Sequence, residues 1–140
     1  MSINISSASV KEIKKFHHQA WQEADLEHYG PGSRWISKFF VLQAKEKGEI
    51  VGTIKAQYDA GVVYIQHMIV ASDKRRLGIG EKLLQELEKR TKRLGAHKFF
   101  LLTGKGWQAC RFYEKLGFKK IIDLPKHYLK RTFVIYSKSI

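Results

Sequence analysis

Apolar and polar positions follow two rhythms along this chain, and the places where one gives way to the other mark its elements. Residues 2–5 read as a short first strand. Ser9 has the chemistry of a helix N-cap, and Val10, Ile13, Phe16, His17 and Ala20 then fall roughly on one face of a helix beginning near Val10. The segment Trp21–Tyr29 continues as a second helix, which Gly30-Pro31-Gly32 stops. A β-rich block follows. Phe39–Gln43 and Ile50–Gln57 read as strands joined by Lys45-Glu46-Lys47-Gly48-Glu49, and Asp59-Ala60-Gly61 turns the chain into the β-branched strand Val62–Val70. The period then returns to that of a helix over Gly78–Leu94, where Leu83, Leu84, Leu87, Thr91 and Leu94 make one stripe and Glu86/Arg90 and Glu88/Lys92 pair one turn apart. Gly95 ends it. Lys98–Leu102 is a short buried strand, Trp107–Leu116 a helix closed by Gly117, and Phe118–Asp123 and Thr132–Ser137 two final strands. The order β-α-α-β-β-β-α-β-α-β-β predicts an α+β fold: a mixed, mostly antiparallel sheet of about seven strands flanked by about four helices.

At 140 residues, with no repeat, low-complexity tract or Pro/Ser-rich linker, the chain reads as one domain over residues 1–140. No apolar run reaches the 18 or so residues of a membrane-spanning helix, so no membrane partner is expected. Ser2–Ser9 has neither a basic nor an apolar signal region, so no secretory signal is expected. Cys110 is alone, which excludes an internal disulfide and any multi-cysteine zinc or redox motif. The expected address is a reducing cytoplasm, as a monomer or homodimer.

Charge changes the picture more. The formal net charge is +13, and it is lopsided: residues 1–70 carry 8 basic and 7 acidic side chains, residues 71–140 carry 18 and 6. The second half is therefore suited to meet an anion, although a solvated Lys/Arg surface is the plainer reading. Within that half, Arg75-Arg76-Leu77-Gly78-Ile79-Gly80 leaves a strand and opens a helix. Unpaired backbone N–H groups and the helix dipole favour negative charge there, and Gly78 and Gly80 allow close approach. The spacing fits neither a Walker loop nor a full dinucleotide fingerprint. Alone, such a loop is more often packing. A second group, Ala109-Cys110-Arg111-Phe112-Tyr113-Glu114-Lys115-Leu116-Gly117-Phe118, combines a packing aromatic with a phenol, Tyr113, able to donate a proton.

Taken together and in this order, the two motifs resemble those of the GNAT superfamily of acetyl-CoA-dependent N-acetyltransferases. Arg75-x-x-Gly78-x-Gly80 is similar to the family's pyrophosphate signature, and Ala109-x-x-Phe112-Tyr113-x-x-x-Gly117-Phe118 to its second motif. The resemblance spans roughly residues 3–137 and implies an enzyme that moves an acetyl group from acetyl-CoA directly to a primary amine, with no acyl-enzyme. It implies that Arg75, Arg76, Leu77, Gly78, Ile79, Gly80 and Glu81 hold the pyrophosphate. Met68, Ile69 and Val70 would pair with the pantetheine arm, with Gln108, Phe112, Tyr113 and Lys115 also at the coenzyme. Arg75, Arg76, Lys105 and Lys115 lie on elements able to approach its phosphates. Tyr113 would protonate the leaving thiolate. Cys110 is then a small buried hydrophobe, not a nucleophile.

Two departures stand out. The family often carries a glutamate on the central strand as a base; Tyr64-Ile65-Gln66-His67-Met68 has none, leaving His67, or Glu23, Asp25 and Glu27 acting through a water. The plainer readings are a core histidine facing the helices and a solvated helix face. Many relatives also have Asn at the start of the second motif's helix, where this chain has Gly106-Trp107-Gln108. His17 and His18 face different sides of a helix, and no metal is expected. The rival function is a basic nucleic-acid-binding module on an inactive scaffold of this kind, with Phe99, Phe100, Trp107, Tyr128 and Phe133 among the cations. Against it, the basic helix faces also carry Glu81, Glu86 and Glu88, and no nucleic-acid motif is present. Acceptor choice is expected from the first two helices and the basic loop Leu124-Pro125-Lys126-His127-Tyr128-Leu129. That loop disfavours polycationic amines against a peptide or protein N-terminus, a lysine or an anionic amino compound.

Overall fold

A computed structural model describes residues 2–140, which fall into two compact units, one up to Arg34 and one from Trp35 onward. The first unit is essentially one helix, α1 (Val10–Tyr29). Ser9 caps it, accepting the Glu12 N–H at 3.1 Å, and Gly30 closes it with its N–H on the Leu26 carbonyl at 3.0 Å. The two helices expected here are one, because no breaker stands between Ala20 and Trp21. Residues 2–5 form no strand: four residues, half of them Ser or Asn, have too little β-propensity to hold a ladder.

The second unit is a six-stranded sheet with two helices. Its strands are β1 (Ser37–Glu46), β2 (Glu49–Asp59), β3 (Val62–Val70), β4 (Lys98–Gly104), β5 (Lys119–Leu124) and β6 (Phe133–Ser139). Helices α2 (Ile79–Lys92) and α3 (Gln108–Lys115) follow β3 and β4, and 3-10 turns occupy Ser72–Lys74 and Tyr128–Lys130. The spatial order is β1-β2-β3-β4-β6-β5, and all neighbours are antiparallel except the β3–β4 pair. The α+β class and mixed sheet expected from the periodicities are present. Six strands and three α-helices among the described residues replace seven and four.

One face of the sheet is covered by α2 and α3. Leu83, Leu84 and Leu87 of α2, Ile54, Ala56, Val63 and Ile65 of β2 and β3, Cys110 and Tyr113 of α3, and Phe99, Leu101, Phe118, Val134 and Tyr136 form one buried cluster. Thr91 is fully buried in the stripe because its hydroxyl donates to the Leu87 carbonyl at 2.8 Å, which satisfies its polar atom within the helix. Tyr58 reaches across to the Leu94 carbonyl at 2.8 Å and ties the end of α2 to β2. Residues of alternate parity lie on the opposite face, where Tyr64 and Phe100 stack at 4.7 Å between centroids.

Candidate active site

The sheet divides at its centre. β3 and β4 run parallel but pair only where Val62, Val63 and Tyr64 face Lys98, Phe99 and Phe100. Beyond Tyr64 they part, and the cause is a bulge in β3. Lys55 of β2 faces His67 whereas Ala56 faces Ile65, so Gln66 is one residue too many for its partner strand. A bulge bends its strand and increases local twist. Among the described residues no strand takes the β4 side of Ile65–Val70, which leaves a free backbone edge along one arm of a fork.

The bulge also sets which way the side chains point. Met68 pairs with Ile54 and joins the helix-covered face, packing near Gly80 and Phe112. His67 pairs with Lys55, so it is exposed and lies on the face away from α2. The sequence alone favoured a histidine turned toward the helices; the extra residue at Gln66 reverses that parity. Gln66 Oε1 is itself buried without a hydrogen-bond partner.

A loop and the start of α2 lie beyond the end of β3. Arg76 (φ 63°) and Gly78 (φ 79°) are both left-handed, which folds the exposed run Arg75–Gly78 into a tight turn. Gly78 is the N-cap and offers no side-chain acceptor. The first helical hydrogen bond runs from the Lys82 N–H to the Gly78 carbonyl at 3.0 Å, so the N–H groups of Ile79, Gly80 and Glu81 come ahead of the helical ladder. Two observations fit a diphosphate here: the uncapped donors of a fourteen-residue helix, and open space where a Cβ of Gly78 would stand. Arg75 uses its Nε–H on the Val70 carbonyl at 3.3 Å, bracing the end of β3. Lys74 pairs with Glu46 at 2.9 Å and fixes the loop to the β1–β2 hairpin. Gly80 is buried, and a Cβ there would stand 3.1 Å from the Phe112 ring and 3.7 Å from the Met68 methyl. The loop, the fork and α3 therefore meet at one residue.

On α3, Tyr113 is only 6% exposed and packs edge-on against Phe112 and Phe118, with centroids at 5.1 and 5.2 Å. Burial pushes its phenol up to about 12, so it keeps its proton across the neutral range. Gln108 and Lys115, at the two ends of α3, are exposed. Cys110 is buried and points its thiol at the Gly104 carbonyl, 3.3 Å away. No group of three His, Cys, Asp or Glu residues able to hold a metal ion occurs among the described residues.

Sequence reasoning named Trp107, Tyr128 and Phe133 only as aromatics among the cations, not as the wall they form with Tyr64 on the fork's other face. Tyr64 stands at its root, and its phenol is raised by burial and by the charge and hydrogen bond of Tyr128. Tyr128 lies in the loop between β5 and β6 and packs with His127 and Phe133 at 4.3 and 5.0 Å. His127 Nε2 is a second buried polar atom without a partner. Trp107 lies across the backbone of Gly104, where a Cβ would stand 2.1 Å from its ring, and meets Phe133 at 5.4 Å. The loop's basic character was visible in sequence. Its contact with Tyr64 depends on two residues 64 positions apart, and no local pattern reports that.

Comparison with known proteins places this geometry. A family model described as the Acetyltransferase (GNAT) family matches residues 8–118. Among solved structures, an acetyltransferase from Bacillus cereus superposes with a TM-score of 0.78 at 20% identity, covering 99% of this chain and 98% of that one. A GNAT family acetyltransferase from Elizabethkingia anophelis, solved with acetyl-CoA bound, gives a TM-score of 0.65 at 19% identity over 71% of this chain and 75% of that one. An aminoglycoside 6'-N-acetyltransferase complexed with coenzyme A gives 0.66 at 20% identity, over 92% and 89%. A search of curated protein sequences gave no match. With four-fifths of its length under the family model, and the fork, loop and phenol in that order along the chain, this protein belongs to the GNAT family of acetyltransferases.

Proposed function

We propose that the chain is an N-acetyltransferase that carries the acetyl group of acetyl-CoA directly to a primary amine. The observation that carries this reading is the fork beside the uncapped start of α2, with a protonated phenol on the adjoining helix. Acetyl-CoA is the cosubstrate. It supplies a thioester: the amine nitrogen forms a bond to the carbonyl carbon, the carbon–sulfur bond breaks, and sulfur leaves with the electron pair.

The remaining work belongs to the protein. The backbone N–H groups from Arg76 to Glu81 hold the pyrophosphate, aided by the helix dipole. The free edge of β3 at Met68–Val70 pairs with the amides of the pantetheine arm as an added strand. Phe112 packs beneath it, and Gln108 and Lys115 flank it. Tyr113 gives its proton to the departing sulfur, and burial keeps that proton in place beforehand. His67, exposed and one residue past the bulge, takes the proton the amine sheds. The acceptor stays on the side of the sheet that carries the aromatic wall.

The test is thiol release from acetyl-CoA across an amine panel, in wild type and Tyr113→Phe. The substitution keeps the ring and removes only the hydroxyl. General acid catalysis contributes about a hundred- to ten-thousandfold, so turnover falls roughly ten- to a thousandfold, allowing for water as a partial substitute. The coenzyme's Kd stays where it was. Wild-type turnover in the variant removes Tyr113 from the chemistry, and no thiol release with any amine removes the activity.

A further inference from the structure

The loop that carries Tyr128 ends in a pocket of about 350 Å3 lined by Lys105, Trp107, Lys130, Arg131 and Thr132. Three of its five walls are cations and none is an acid. Asp123, at the end of β5, takes Lys105 at 2.7 Å but is shared with Lys120, also at 2.7 Å. Lys130 and Arg131 make no ion pair among the described residues.

The pocket is held in shape from three directions. Trp107 is clamped between the Gly104 backbone and the Phe133 edge, yet 54% exposed, so it presents a fixed apolar surface. The Lys105 N–H bonds to the Thr132 carbonyl at 3.1 Å and joins the two walls. The loop is closed by His127 N–H on the Arg131 carbonyl at 2.8 Å, and Lys130 and Arg131 N–H on the carbonyls of His127 and Tyr128 at 3.0 Å. It also holds Lys126, Leu129 and Lys130 at φ 49°, 51° and 60°, left-handed for residues that rarely adopt it. Leu129 is 94% exposed, so its own burial does not offset that strain.

Position decides what the pocket serves. Gly104 is the tip of one arm of the fork, where it pairs with Phe133, and the Phe133 ring packs both on Trp107 and on Tyr128 of the same loop. The coenzyme's pyrophosphate is assigned to the start of α2, and Lys105, which the sequence offered as able to approach the coenzyme's phosphates, instead pairs with Asp123 at 2.7 Å and lines this pocket. Resting on the acetyl-transfer reading above, we infer that this pocket takes an anionic group of the acceptor, so that the substrate is a primary amine also bearing a carboxylate or phosphate. Its apolar part lies on Trp107, its anion sits between Lys130 and Arg131, and its amine points back to the fork. Polycationic amines are repelled by the same pair.

Matched pairs test this: a dipeptide with a free carboxylate against its C-terminal amide, and O-phosphoethanolamine against ethanolamine. At least one anionic member should exceed its partner tenfold or more in kcat/KM, and which pair responds tells carboxylate from phosphate. Lys130→Ala with Arg131→Ala brings that pair within about twofold while the Kd for acetyl-CoA is unchanged, and Arg131→Lys retains part of the preference. Calorimetry of the N-acetylated dipeptide acid against its amide, on protein saturated with coenzyme A, gives a readout independent of turnover. Equal members in both pairs, discrimination that survives the double variant, or a tenfold loss of acetyl-CoA affinity in it overturns the inference. Thiol release without discrimination defeats the pocket alone, whereas selective binding of the acid without thiol release defeats the transfer reading alone.

Discussion

At Gly80 a single added methyl already meets the Phe112 ring at 3.1 Å, closer than most real contacts of a Cβ. Gly80→Val places a branched side chain there, and the first turn of α2 must move away from α3 and Met68. The N–H donors of that turn, proposed to hold the pyrophosphate, move with it. Calorimetry should show acetyl-CoA affinity falling at least tenfold while circular dichroism stays that of a folded chain; unchanged affinity in a folded variant shows that the coenzyme does not use this turn. Tyr113 offers a second, independent reading through pH. Its folded value is raised to about 12 from an ordinary 10.0, so the unfolded chain loses the proton first. The stabilisation associated with the neutral phenol is complete below about pH 10 and is lost as pH rises toward 12. The stability of wild type should therefore decline more steeply than that of Tyr113→Phe between those values, measured by denaturant unfolding. Parallel curves contradict the burial of this hydroxyl.

Among the elements, α2 was the most legible. Its stripe of Leu83, Leu84, Leu87, Thr91 and Leu94 could be read at helical spacing; the first four are buried on the helix, and Leu94, half-buried, lies just past its end. Leu87 is fully enclosed, so Leu87→Ala should cost about 2–5 kcal/mol in chemical denaturation, the range for a buried leucine whose cavity cannot collapse. A loss below about 1 kcal/mol would mean that the helix is not seated on β2. The first three strands were likewise visible: Val62–Val70 matches β3 at both ends, whereas β1 and β2 run one to three residues beyond the expected Phe39–Gln43 and Ile50–Gln57 at each end. What sequence could not report was the fork. A bulge at Gln66 is an offset between two strands, and a single strand read by itself shows only continued alternation. That one offset decides the exposure of His67 and the free edge at Met68–Val70. The loop Arg75–Gly80 and the phenol at Tyr113 were legible because their chemistry is local. The wall formed by Tyr64, Tyr128 and Trp107 was not, since its members meet only after β3, β4 and β6 are assembled.

Across the whole molecule, the positive charge belongs almost entirely to the later residues, which carry 18 basic against 6 acidic side chains from residue 71 onward. Four ion pairs among the described residues engage few of those cations, and an anionic cosubstrate is drawn toward such a surface before any contact forms. The sheet itself is nearly two sheets. β1, β2 and β3 make one panel, β4, β6 and β5 another, and among the described residues the ladder between them is three residue pairs long. A seam so short is a mechanical joint as well as an opening. A molecule that fills the fork and bonds to the β3 edge rivets the panels together, and its binding energy becomes resistance to their parting. Amide exchange at Met68–Val70 should slow when acetyl-CoA is added, and with it exchange in β4, which the coenzyme's strand-like arm need not touch. With the coenzyme bound as proposed, the joint makes the acetyl donor a structural member of the sheet for as long as it stays bound.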